Sequence, residues 1–396
     1  QTDNMQRFLS WRFNLRANPK RVIRFQQSVI THPDQDHYKG FAALFGSRQF
    51  KFRTVFHNGI VERAGKDSLG PRVGVNGTSC LADVIRAPET LRSRLADPAF
   101  TKGKQYPQML ATALAEGSVE QFTGLSRRDR FLPGYEGGKP LSIEVLGPWP
   151  EDDEPGSLRW FGDAGKTKNG HSVVLKLVYR GVSLLLGGDL NIPAEQHLLR
   201  KHTGKPLPPA GNEAAAAAFL VAARTAFEVD VAKACHHGSA DFTSLFLQAV
   251  NPLATVVSSG DDEPHAHPRP DALGALGKFG RGARPLIFST ELARSSNENI
   301  RNPQALKQEI EALYTRREAL DDPMKRAALN AQIGKLLDGL ERSVAVYGLI
   351  NLRTDGRRVL LAQKLERPRG TGEEWDTYKL EPGPDGRLVY PSAHAD

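Results

Sequence analysis

Cysteine is almost missing from this chain. Cys80 and Cys235 are the two among 396 residues. Two cannot build a disulfide framework or a cysteine-rich zinc knuckle, and such usage fits a reducing compartment. No stretch approaches the 18 or so consecutive apolar residues that a membrane span needs, so no membrane partner is expected. There is no internal repeat and no low-complexity tract. The opening residues Gln1 to Met5 read neither as a signal peptide nor as a translation start. The expectation is a cytoplasmic protein whose upstream residues are missing from the record.

What is present is enough for a sizeable core. A hydrophobic content of 39% over this length allows one large domain or two to three smaller ones. The formal charge of +8 comes with basic clusters at Arg7 to Arg24, Lys102-Lys104, Arg127-Arg130, Lys166-Lys168 and Arg357-Arg369. Such patches steer a phosphate backbone toward a site. Ordinary surface solubility is the competing account of the same charge.

The pattern along the chain is α/β. A helix is expected over residues 5–17 and a strand over Val22 to Ile30, followed by a polar loop and a short helix from Gly40 to Phe45. Val55 to Gly59 reads as a strand and turn. From about 60 to 140 the pattern is less regular, with helices expected at Cys80 to Ile85, Glu89 to Leu95 and Tyr106 to Phe122, and the stretch reads as an insertion. Strands are then expected at Leu141 to Leu146, Ser172 to Tyr179, Val182 to Leu186, Val229 to Ala234, Ala254 to Ser258 and Pro285 to Ser289. Between them fall an alanine-rich helix at Asn212 to Ala223 and helices at Ser244 to Val250 and Asp271 to Phe279.

The tail has a different character. Leu306, Ile310, Leu313 and Leu320, then Leu329, Ile333, Leu336, Leu337 and Leu340, keep helical spacing on either side of Asp322-Pro323, a good cap and first-turn pair. An antiparallel helical hairpin follows. Its stripe over 303–341 is a candidate surface for a protein partner or for self-association. Thr354-Asp355-Gly356 and Asp385-Gly386 then mark two β-hairpins. The expected division is a catalytic domain over 1–295 and an extension over 296–396.

The chemistry concentrates in Thr31-His32-Pro33-Asp34-Gln35-Asp36-His37, where His32, Asp34, Asp36 and His37 place four potential metal ligands within six residues. At the end of a strand, one such loop could feed two adjacent metal sites. Three later positions repeat the format of ligands just after apolar strands. Asp189 follows Val182 to Leu186, His236 and His237 follow Val229 to Ala234, and His267 follows Ala254 to Ser258. Loops at the carboxyl ends of strands converge in layered α/β folds. Histidine and carboxylate ligands without cysteine suit Zn²⁺, and would accept Mn²⁺ or Fe²⁺. Two such ions about 3.5–4 Å apart activate a water and polarise the group it attacks. His237 reads as a ligand or acid, or as a packing residue. Ser239 is a candidate to stabilise an oxyanion.

These motifs, with Gly188-Asp189, His236-His237-Gly238-Ser239, Ala266-His267-Pro268 and Asn169-Gly170-His171-Ser172-Val173-Val174-Leu175, resemble the metallo-β-lactamase superfamily over roughly residues 15 to 290. They resemble most its DNA-internalisation branch, the ComEC-like soluble domains. The resemblance implies an αββα sandwich with metals between two sheets. Its opening strand pair is absent from this sequence. It implies His32 and Asp34 on one ion, Asp36 and His37 on the other, Asp189 as the bridging carboxylate, and His236 and His267 as the remaining ligands. Asp36 would also orient or deprotonate the attacking water. The superfamily's intermediate histidine has no close counterpart, which leaves Asn169 or His171 to serve. The implied activity is a binuclear metal hydrolase acting on phosphodiesters of DNA or RNA. Hydrolysis of a small ester, lactone, lactam or cyclic nucleotide is the first alternative, and a metal-stabilised scaffold module of a larger complex is the second.

Overall fold

A computed structural model describes residues 2–152, 156–260, 265–290, 303–344, 349–365 and 372–392 of the chain, without the side chains of 2–4, 303–305 and 338–344. Two compact units account for it. One comprises 1–288, 353–360 and 379–396, and the other 289–352 and 361–378. The expected boundary at 295 lies outside the described residues.

The first unit contains two larger sheets. In the smaller of these, the strands Ile23–Val29, Phe50–His57 and Val119–Gly124 run parallel in that order. The six-stranded sheet has the order Leu286–Ser289, Ala254–Val257, Val231–Lys233, Val182–Leu186, Val174–Tyr179, Leu141–Gly147. Its middle strands Ala254–Val257, Val231–Lys233 and Val182–Leu186 are parallel, and antiparallel pairing carries on to the Leu141–Gly147 edge.

Three apolar clusters define the layers. Phe25, Phe50, Phe52 and Phe122 of the three-stranded sheet pack against Tyr38, Phe45, Leu91, Tyr106 and Leu110 from helices Gln35–Phe45, Pro88–Leu95 and Gln105–Ala115. Val29 and Phe56, toward the carboxyl ends of the same strands, meet Val145, Leu175 and Leu186 of the larger sheet. Leu146, Val174, Leu185 and Ala232 on that sheet's far face meet Leu198, Phe219, Phe227 and Phe246 from helices Ile192–Thr203, Glu213–Phe227 and Ser244–Val250. Side chains that alternate along the larger sheet, Val145 and Leu146, Val174 and Leu175, Leu185 and Leu186, give it two buried faces. The architecture is helix, sheet, sheet, helix, as the α/β sandwich expectation has it.

Several expected elements are redrawn. The helix after the ligand loop begins at Gln35 rather than Gly40, so Asp36 and His37 lie on its first turn and not in the loop before it. The expected helix from Tyr106 to Phe122 ends at Ala115. Gly117, at φ 61°, takes a left-handed turn that glycine tolerates, and Val119–Gly124 then pairs with Phe50–His57. Cys80 to Ile85 is not helical. Thr78–Leu81 is a strand paired with Arg72–Val75 across Asn76-Gly77, both at positive φ, a two-residue hairpin turn. The helices Ala164–Gly170 and Ile192–Thr203 were not expected.

In the second unit, helices Pro303–Glu318 and Pro323–Val344 form a hairpin around Leu313, Leu329 and Ile333, with Tyr314, Leu320 and Leu336 against them. Asp322 Oδ1 accepts the Met324 N–H at 2.9 Å, the cap its sequence position predicts. The Leu340 side chain lies outside those described. In the first unit, Asp355 and Asp385 each accept downstream backbone N–H groups at 2.8–3.0 Å, which fixes the turns of the two expected β-hairpins.

Candidate metal centre

The turn after Ile23–Val29 and the start of Gln35–Phe45 bring the first ligands to the end of the three-stranded sheet. Across from them, Val182–Leu186 delivers Asp189 through Gly187-Gly188. Gly188 has φ +58°, and a Cβ there would lie 2.4 Å from the Ser172 Cβ. Only glycine permits that approach, and it lets the Asp189 N–H donate to Ser172 Oγ at 2.9 Å. Val231–Lys233 ends at Cys235–Gly238, a short turn in which His236 and His237 both hold left-handed backbone angles, φ 47° and 53°. Non-glycine residues pay about 1–2 kcal/mol each for that region. The cost is concentrated where the two imidazoles are aimed.

Asp36, His37, Asp189 and His237 converge, with one ligand atom of each within 4.8 Å of the others. His37 Nε2 lies 3.1 Å from Asp189 Oδ2 and 3.5 Å from Asp36 Oδ2. His237 Nε2 lies 3.2 Å from Asp189 Oδ2 and 3.0 Å from Asp36 Oδ2. The two Nε2 atoms are 3.1 Å apart. Four atoms bound at about 2.0 Å to one tetrahedral ion stand about 3.3 Å from each other, a spacing that these His–Asp and His–His separations match. Asp189 is 3% exposed and Asp36 is 49% exposed at the side chain, which gives the group a buried floor and an open side.

Hydrogen bonds decide which nitrogen faces inward. His237 Nδ1 is 2.7 Å from the Ser258 carbonyl. A carbonyl only accepts, so Nδ1 carries the proton and the Nε2 lone pair is free for a cation. Thr31 Oγ1 stands 3.1 Å from His37 Nδ1 and 3.0 Å from His32 Nδ1, so one hydroxyl bridges the two rings. Burial alone would raise the Asp189 carboxyl, but Lys233 and the two imidazoles hold it well below the usual range. Burial opposes ionisation of Asp36 as well, and the His237 hydrogen bond and nearby His37 bring it down to about 2. Burial pushes His237 down, and its bonds to Asp189 and Asp36 outweigh that and raise it to about 10.

The other expected residues fall at measured distances from this group. His32 is fully buried and its Nε2 has no hydrogen-bond partner. That atom lies 4.0 Å from both Asp34 Oδ2 and Asp189 Oδ2. Asp34 occupies the cap position of Gln35–Phe45 yet makes no side-chain cap bond. Its Oδ1 is instead in contact with Lys168 Nζ, a basic-cluster residue that the sequence reading does not assign to the site, and Lys168 is itself 3.1 Å from Glu62 Oε1. Lys233, likewise not assigned to it, reaches Asp189 Oδ1 at 3.4 Å and the Gly188 carbonyl at 3.1 Å.

His236 and His267 stand outside the group of four, with ring centroids 5.6 Å apart. The turn at 235–238 sends His237 rather than His236 to Asp189. His171 is buried, its Nε2 2.7 Å from the Arg159 carbonyl and its ring stacked on Phe161. Asn169 gives its carbonyl to Ser172 Oγ at 2.7 Å, and its Oδ1 is buried without a hydrogen-bond partner. Ser239 Oγ accepts from the Asp241 N–H at 3.2 Å. The arrangement can hold a metal ion of the kind metal-dependent hydrolases use. No helix among the described residues is long and apolar enough to cross a membrane. No family model matches the chain, and a search of curated proteins finds no match.

Proposed function

We propose that the chain is a metal-dependent hydrolase of the metallo-β-lactamase superfamily that cleaves phosphodiesters in DNA or RNA. The observation that carries this reading is a set of four ligand atoms whose His–Asp and His–His separations are 3.0–3.5 Å, with the His237 Nδ1 held by a carbonyl. Asp36, His37, Asp189 and His237 would hold a divalent ion, Zn²⁺ foremost and Mn²⁺ or Fe²⁺ by the same ligand chemistry. Bound there, the ion would lower the pKa of a water and polarise a phosphoryl oxygen.

The residues divide the remaining work. Asp189, buried and ionised, anchors both imidazoles from below. Thr31 and the Ser258 carbonyl hold the imidazoles with their Nε2 atoms inward. Asp36, on the open side, orients the attacking water and accepts its proton. His237 is assigned to metal binding rather than to leaving-group protonation, because its two nitrogens are already committed. Ser239 and Asn169 are assigned to substrate binding. The net positive charge supports a polyanionic substrate. The division into a catalytic domain over 1–295 and an extension over 296–396, self-association through 303–341 and a cytoplasmic location belong to the same proposal.

The test joins metal analysis with a hydrolysis screen of labelled single- and double-stranded DNA, RNA, bis-p-nitrophenyl phosphate and nitrocefin. Wild type should carry metal and cleave the phosphodiesters, and Asp189→Ala should lose both. Full activity in D189A would refute the reading, and cleavage of nitrocefin alone would move the substrate to a small lactam.

A further inference from the structure

We propose that Lys168 is a resident cation standing where a second metal ion would otherwise bind, so that this centre works with one ion. The inference rests on the metal-centre reading above and concerns its flank, where two-ion chemistry would need His32, Asp34 and a further ligand.

Three observations set that flank apart. Asp34 is drawn off its capping position, and one of its oxygens is in contact with Lys168 Nζ. Leaving a helix N-terminus uncapped costs about 1 kcal/mol, so the lysine contact outcompetes a favourable alternative. Glu62 Oε1 holds the same ammonium from its other side at 3.1 Å, and the Lys168 side chain is only 16% exposed. The histidine that would complete a second ion's ligands is also missing, because His171 Nε2 is spent on the Arg159 carbonyl.

Charge balance points the same way. Four carboxylates, from Asp34, Asp36, Glu62 and Asp189, meet two ammonium groups, from Lys168 and Lys233. The two negative charges left over are neutralised by one divalent ion. A second divalent ion would leave an excess of positive charge in a largely buried site, which is costly. An ammonium is a compact charge with several donors, able to bridge Asp34 and Glu62 and to meet a phosphate oxygen on the open side. His32 Nε2, buried and unpartnered 4.0 Å from Asp34 Oδ2 and Asp189 Oδ2, is the ligand atom left on that flank.

The experiment loads the full chain with Mn²⁺, removes loosely held metal by desalting, and measures bound metal by plasma mass spectrometry and EPR. Wild type should hold one equivalent with an uncoupled spectrum. Lys168→Met leaves Asp34 and Glu62 without a counter-ion and should take up a second equivalent, with the coupling shown by Mn²⁺ ions about 3.5–4 Å apart. Lys168→Arg keeps the charge and should hold one. Wild type with two coupled equivalents would overturn the proposal, as would a folded K168M that still holds one at the same free metal. If K168M fails to fold, K168R decides, with one equivalent supporting the proposal and two opposing it. A wild type that binds no metal refutes the metal-centre reading instead, whereas two equivalents refute only the role given to Lys168.

Discussion

His171 stands just before the Val174–Tyr179 strand and His237 just after Val231–Lys233, strands of one six-stranded sheet. Both histidines follow a glycine or a histidine in short polar turns, and both are candidates for the same centre on sequence grounds. They end with opposite assignments. His237 gives Nδ1 to a carbonyl and turns Nε2 to Asp36, Asp189 and His37. His171 gives Nε2 to a carbonyl and stacks its ring on Phe161. The position of a histidine near a strand end therefore says little about ligation. The partner of its other nitrogen says a great deal, because a carbonyl fixes the tautomer.

The sharpest way to break this comparison is to remove each ring. His237→Ala should lower metal affinity by more than roughly 100-fold, since even loss of a residue that only orients a ligand costs about 10–100-fold. Its fold should survive, because the ring is partly solvent-exposed. His171→Ala should keep full metal content and lose roughly 2–4 kcal/mol of stability, through the orphaned Arg159 carbonyl and the cavity beside Phe161. Metal titration and urea denaturation of both variants read the two effects separately. Loss of metal from H171A, with the protein folded, would make the two turns equivalent and sink the distinction.

A smaller effect sharpens the same point from the opposite side. Thr31 touches no metal ligand atom in the group of four, yet its hydroxyl meets the Nδ1 of both His37 and His32. Thr31→Val keeps the shape and removes that hydroxyl, so His37 loses the bond that holds its ring orientation. Metal affinity should fall about 10–100-fold with stability nearly unchanged, as isothermal titration of the metal-free protein would show. Thr31→Ser should restore most of the affinity. An unaltered Kd in T31V would mean that the helix alone orients His37.

How much of this could be read from sequence follows from the range of each interaction. The ligand turn at 31–37 is legible because its residues are local and sit at the end of an apolar run. Asp189 is legible for the same reason, after Val182 to Leu186 and two glycines. The choice between His236 and His237 is not, because it depends on two consecutive left-handed residues that no side-chain pattern announces. Lys168 and Glu62 escape notice because each is an ordinary surface-type residue until the fold joins them across 106 positions. The Val119–Gly124 strand was hidden by the apolar helix before it, although Gly117 marks the break. Asn76-Gly77 and Asn191 with Pro193 were usable signals for a hairpin and for a helix start, and they went unread.

The buried state of His171 has a further consequence in acid. Burial holds its imidazole down to about 3, against 6.5 for an ordinary histidine. Between those two values the unfolded chain binds a proton at this residue and the folded chain does not, so stability falls as pH drops through the interval. The single-residue slope is about 1.4 kcal/mol per pH unit. Its contribution is fully present above pH 6.5 and is lost progressively toward pH 3. Glu195, a buried carboxyl raised to about 8 by burial, works in the opposite sense, losing its contribution as pH rises from about 4.5 toward 8. Other buried histidines, among them His57 at about 4, add to the acid slope, so only a difference between variants isolates His171. The metal-free wild type and His171→Gln should be unfolded with urea at pH 6, 5 and 4. Glutamine keeps an N–H for the Arg159 carbonyl and does not titrate, so its stability should fall less steeply, by about 1.4 kcal/mol per unit. Equal slopes would place a protonated or solvated imidazole at position 171, which would then carry no more constraint than an exposed histidine, and the contrast with the carbonyl-locked His237 would lose its physical basis.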